Sequence, residues 1–121
     1  MFDPMGFLDV ASKNCWGTCS EAEQRTAMSR LYYATFLVCR DFFARDRSVS
    51  FGKGSKVHGD VITALESIDE NLADDLNQLR EARNSADYDL YMTIDTLMGD
   101  YESHRASALK IIGRVQKEKH I

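Results

Sequence analysis

In Leu72-Ala73-Asp74-Asp75-Leu76-Asn77-Gln78-Leu79-Arg80-Glu81-Ala82-Arg83-Asn84-Ser85-Ala86-Asp87-Tyr88, the three leucines stand four and three residues apart, and the next position on their stripe is Arg83. That spacing lines one side of an α-helix and turns it toward a core. The stripe therefore ends in a permanent cation where an apolar residue is expected. A buried guanidinium without partners is strongly destabilising. Asp87, one helical turn further on, can supply a carboxylate. Two readings follow: an Arg83–Asp87 pair that fixes helix register, or a polar notch between helices that receives an anion.

The same period runs through the rest of the chain. Ser20-Glu21-Ala22-Glu23 matches a capping box and opens a helix to about Ala44. This helix carries Met28, Leu31, Tyr32, Phe36, Val38, Cys39, Phe42 and Phe43, too many for one apolar stripe. It needs either a central bundle position or a core face plus a dimer face. A short helix of about Met5 to Asn14 precedes it, and a third covers about Lys56 to Ile68. The fourth is capped at Asn71, with Asp74 three residues on. A fifth, of about Met92 to Lys117, sets Ile94, Leu97, Met98, Tyr101, Ala108, Ile111 and Val115 at helical spacing. Lys110, Arg114, Lys117 and Lys119 suit the negative end of its dipole. No stretch alternates as a strand does. The expectation is an all-α, up-and-down bundle of four to five helices, in one domain spanning residues 1–121.

Composition is that of a globular domain, 44% hydrophobic and 28% charged. The longest run without a charge, Leu31 to Cys39, is too short to cross a bilayer, so no membrane association is expected. The N-terminus lacks a basic segment followed by an apolar one, which points to the cytoplasm. Cys15, Cys19 and Cys39 have no framework or zinc spacing and read as reduced thiols; neither metal nor cofactor is expected. Net charge is −4 but uneven, with twelve acidic and two basic side chains in residues 60–102. A binder of duplex nucleic acid by bulk attraction is usually basic overall. Any polyanion must therefore meet a local patch here. Lys53-Gly54-Ser55-Lys56 lies in a basic loop from Arg45 to Gly59 without the spacing of a phosphate loop. Asp69-Glu70 and Asp74-Asp75 have no calcium-loop spacing.

Three motifs in order complete the picture: Ser29-Arg30-Leu31-Tyr32-Tyr33-Ala34-Thr35-Phe36, then Lys56-Val57-His58-Gly59-Asp60-Val61, then Arg83-Asn84-Ser85-Ala86-Asp87-Tyr88. Together they resemble the HEPN domain (higher eukaryotes and prokaryotes nucleotide-binding), in its branch of small stand-alone prokaryotic members. The resemblance spans about residues 20–118. It implies a helical bundle that forms a two-fold homodimer. Many such domains are metal-independent ribonucleases built on an R-x(4–6)-H motif, with the arginine on the phosphate and the histidine moving protons. Others bind a nucleotide, RNA or a partner protein, often a nucleotidyltransferase, within toxin–antitoxin or defence pairs.

Arg83 matches the motif arginine and Asn84 the polar residue after it, but the histidine is missing. Tyr88, Asp89 and Leu90 stand in its place, and His104 is on another helix. A tyrosine, with an ordinary pKa near ~10, is a poor base at neutral pH. The expected function is therefore a binding module using Arg83, Asn84, Asp87, Tyr88, Arg30 and Tyr33. The alternative is a ribonuclease using Arg83 with Tyr88 or His58. His58 either makes a local hydrogen bond at its helix start or approaches the Arg83 face. Of Tyr32 and Tyr33, one packs in the core and the other sends its hydroxyl to a polar cluster with Arg30, Arg83 or Asp87.

Overall fold

The computed structural model describes residues 2–12, 20–93, 95–96 and 99–119. The expectations for Asn14, Cys15, Cys19, Ile94, Leu97, Met98 and His120 fall outside these residues. Among the described residues, five helices of eight or more residues follow in order: α1 Met5–Ser12, α2 Glu21–Asp46, α3 Lys56–Glu66, α4 Glu70–Tyr88 and α5 Tyr101–Glu118. There is no strand among the described residues, and the fold is an all-α bundle. No helix among them is long and apolar enough to cross a membrane.

The capping box at the head of α2 is formed as the sequence predicts. Ser20 Oγ accepts from the Glu23 amide at 3.2 Å, and Glu23 Oε1 accepts from the Ser20 amide at 3.3 Å. α2 is the spine, with α1, α3, α4 and α5 all packed on it. This central position buries its wide apolar surface within one chain. Met28, Leu31, Tyr32, Cys39 and Phe42 are fully buried, and Phe36 nearly so. Burial pushes the Cys39 thiol up to about 12, which keeps it protonated and unreactive.

α3 and α4 are joined only by Ser67, Ile68 and Asp69, and a link this short returns the chain antiparallel to itself. The cap of α4 is Asp69, not Asn71. Its carboxylate accepts from the Asn71 amide at 2.8 Å and sits at the positive end of the helix dipole.

α5 starts at Tyr101, nine residues later than the pattern suggested. Side-chain bonds to backbone amides punctuate the stretch before it. Asp89 Oδ1 accepts from the amides of Tyr91 and Met92 at 3.1 Å each, and Thr93 Oγ1 accepts from the Thr96 amide at 3.2 Å. The Asp89 bonds close a turn after α4, the Thr93 bond caps the helical Asp95 and Thr96, and Gly99 and Asp100 form a turn before α5. The buried Tyr101 then donates its hydroxyl to the Ala11 carbonyl, tying α5 to α1.

Part of the uneven charge is met by ion pairs between α4 and α5 and within α5. Lys110 Nζ lies 3.3 Å from Asp75, and Arg114 lies 3.9 Å from Asp69 and 3.0 Å from Glu118. The basic end of α5 thus answers the acidic start of α4 as well as its own dipole. Exposed pairs of this kind contribute about 0–1 kcal/mol each, so they set orientation more than stability.

Candidate functional site

The leucine stripe of α4 packs as its spacing requires: Leu72, Leu76 and Leu79 are buried, and Arg83 continues the buried face at 7% exposure. Its guanidinium carbon sits 5.4 Å from the ring centre of Tyr32 and 5.3 Å from that of Tyr33. The two π faces offset part of the lost hydration, by about 0.5–2 kcal/mol for such contacts. Asp87 gives looser support. Its Oδ2 is 3.7 Å from Arg83 Nη1, beyond hydrogen-bond reach, and accepts instead from Ser29 Oγ at 3.3 Å.

Arg83 Nε is buried with no hydrogen-bond partner among the described residues, and the same holds for Nε of Arg80, one turn earlier on α4. Buried donors in folded proteins are nearly always paired, so two unpaired guanidinium donors on one helix face form an unusual local feature.

His58 reaches this cluster from α3. Its Nδ1 lies 2.6 Å from the Tyr32 hydroxyl, and its ring stacks on Phe36 with centres 4.4 Å apart and planes 18° apart. Desolvation, then the positive charges of Arg80, Arg83 and Arg40, hold the imidazole below its ordinary pKa. It is consequently neutral at pH 7. Burial raises the Tyr32 hydroxyl far above its ordinary value, although Arg80 and Arg83 pull the other way, so it stays protonated.

Three helices therefore build the site. α2 presents Ser29, Tyr32, Tyr33 and Phe36, at spacings that keep them on one side of the helix. α4 presents Arg80, Arg83 and Asp87 by the same rule, and α3 contributes His58. Of the two tyrosines, the fully buried Tyr32 is also the one whose hydroxyl is engaged, and its partner is His58 instead of Arg30, Arg83 or Asp87. His58 makes a contact distant in sequence, not a local one. Arg30 borders the cluster, its guanidinium 4.9 Å over the Phe7 ring and 6.0 Å from that of Tyr33.

Asn84 and Tyr88 lie elsewhere. Both are exposed, Tyr88 at 74%, and they line a shallow groove of about 450 Å³ with Ser85, Asp89, Leu90 and Tyr91. Arg25 ties this turn together. Its Nη1 donates to the carbonyls of Ser85, Ala86 and Asp89, and its Nη2 to that of Met92, at 2.8–3.1 Å. A cation at a helix C-terminus satisfies the carbonyls left over there and opposes the negative dipole end.

The sequence alone did not single out Arg80, Ser29 or Arg25 for these positions. Arg80 had a usable signal, since it stands three residues before Arg83 on the same helix. Arg25 had none, because its acceptors lie about sixty residues away. Among the described residues no group of three or more His, Cys, Asp and Glu side chains is arranged to hold a metal ion. No family model matches the chain, and neither a curated protein nor a solved structure matches it.

Proposed function

We propose that this chain is a HEPN-like module that acts as a two-fold dimer and binds a phosphate-bearing ligand, a nucleotide or RNA, in the notch between α2, α3 and α4. The single observation that carries this reading is the pair of buried, unpartnered Nε donors on Arg80 and Arg83. Guanidinium groups with free donors match phosphate oxygens in geometry and charge. The local character of the patch suits a protein that is acidic overall. The exposed Tyr88, Leu90 and Tyr91 offer an apolar surface for a second copy or for a nucleotidyltransferase-type partner, as in a toxin–antitoxin or defence pair. Calorimetric titration with a nucleotide and a short single-stranded RNA, using Arg83→Met as control, tests the reading. Binding by wild type and its loss in the variant support it; equal binding by both contradicts it.

A second reading, a metal-independent ribonuclease, is favoured by the position of His58. The motif histidine is absent after Arg83, yet an imidazole from α3 lies in the same charged cluster and is neutral at pH 7. A neutral imidazole beside guanidinium groups has the parts needed to move a proton while a phosphorane's charge is held. Cleavage of single-stranded RNA without added metal, abolished by both Arg83→Met and His58→Gln, would establish it. Cleavage that survives either substitution rules it out.

A further inference from the structure

Tyr32 and His58 share one proton position whose assignment decides what the notch can bind. The Tyr32 ring is fully buried, and its hydroxyl lies 2.6 Å from His58 Nδ1. The charged neighbours of that hydroxyl, Arg80 and Arg83, carry only donors and cannot accept its proton. If Nδ1 carried the imidazole proton and donated to Tyr32, the buried hydroxyl proton would have no acceptor, at a cost of about 1–3 kcal/mol. The hydroxyl therefore donates, Nδ1 accepts, and the ring proton resides on Nε2. Stacking on Phe36 at 4.4 Å holds the ring plane in that setting.

We infer that Tyr32 is a positioning residue that fixes the Nε2–H form of His58, so that His58, Arg80 and Arg83 together make a receptor composed of donors for a tetrahedral oxyanion of the phosphate class. The inference rests on the proposed reading of the notch as an anion site and adds Arg80 and His58 to its binding groups. Asp87, the acidic neighbour on α4, accepts from Ser29 Oγ at 3.3 Å and lies 3.7 Å from Arg83 Nη1, so it only loosely engages the set. The titratable or charged groups facing the His58 ring are Tyr32, Tyr33 and Arg40 from α2 and Arg80 and Arg83 from α4, and the charged ones are cations. A bound anion would relieve that repulsion.

The test is ring nitrogen NMR of the full chain labelled in histidine, with His58 assigned from a His58→Gln variant and inorganic phosphate as the probe. Wild type is expected to show a protonated Nε2 and an unprotonated Nδ1 at pH 7, with phosphate shifting the Nε2 resonance along a saturable curve. Tyr32→Phe keeps the buried ring and removes only the hydroxyl. It should yield a mixture of the two ring forms and weaken phosphate about fivefold, the equivalent of one ordinary hydrogen bond. Phosphate binding with the proton on Nδ1, or ring forms unchanged in Tyr32→Phe, overturns the inference and leaves the proposed function standing. A protonated Nε2 with no response to phosphate overturns the proposed function, and the receptor with it.

Discussion

The Tyr32 hydroxyl and Nδ1 of His58 are 2.6 Å apart, although the residues are 26 positions apart in sequence and on different helices. This bond fastens the start of α3 to the middle of α2. It also places an imidazole among the positive charges of Arg80, Arg83 and Arg40, which act on its protonation. Stability and the chemistry of the notch are thereby linked through one ring.

That link predicts a pH dependence of folding. His58 in the folded chain is held below the ordinary value of 6.5, so between the folded value and 6.5 the unfolded chain binds more protons. Its contribution is fully present above 6.5, declines as pH falls through that window, and levels off below it. Urea unfolding of wild type at pH 7.5 and at lower pH should show this loss, and His58→Gln should flatten it.

Arg83→Met should leave the protein within about 1 kcal/mol of wild type or above it. The substitution removes a buried guanidinium whose Nε is unpaired and whose ion pair with Asp87 is long, and such replacements are often neutral or stabilising. The lost contacts with the Tyr32 and Tyr33 rings work in the opposite direction. Chemical denaturation measures the balance. A loss above about 3 kcal/mol would make Arg83 a structural residue first.

Arg25→Ala removes four bonds from one guanidinium to the carbonyls at the end of α4 and its turn. Since hydrogen bonds to charged groups contribute about 1.5–3 kcal/mol, and these four are not additive, a destabilisation of about 2–4 kcal/mol is expected. Amide exchange should quicken from Ser85 to Met92 while the centre of α2 stays protected.

Ser20→Ala opens the capping box and should cost about 1 kcal/mol, read as a fall in the thermal midpoint. Because the notch lies well along α2, anion binding should be unchanged in this variant.

The helices and the buried stripes were legible in the sequence because they follow from local periodicity. The leucine spacing of α4 and the cap at Ser20 needed no tertiary information, and Arg83 stood out as the cation at the end of a buried stripe. The expected fifth helix is interrupted, because Asp89 closes a turn after α4, Thr93 caps the helical Asp95 and Thr96, and Gly99 and Asp100 turn the chain before α5, none of which apolar spacing registers. The cap of α4 shifted two residues for a similar reason, since both Asp69 and Asn71 suit the position and only the backbone decides. For the site, spacing grouped Arg83 with Asp87 correctly along one helix. It also grouped them with Asn84 and Tyr88, which the helix turns toward the groove on another side. What brings His58 to Tyr32 is the packing of α3, and nothing in either local segment encodes that distance.

Calorimetric titration of the dialysed full chain with inorganic phosphate and with a 5′-phosphorylated single-stranded RNA, repeated for Arg80→Met and Arg83→Met, is the most direct measurement. An anion site built on Arg80 and Arg83 requires saturable binding by wild type and loss of at least tenfold in affinity in each folded variant, equivalent to about 1.4 kcal/mol or more. Wild type that takes up neither probe, or variants that bind as tightly as wild type, would contradict it.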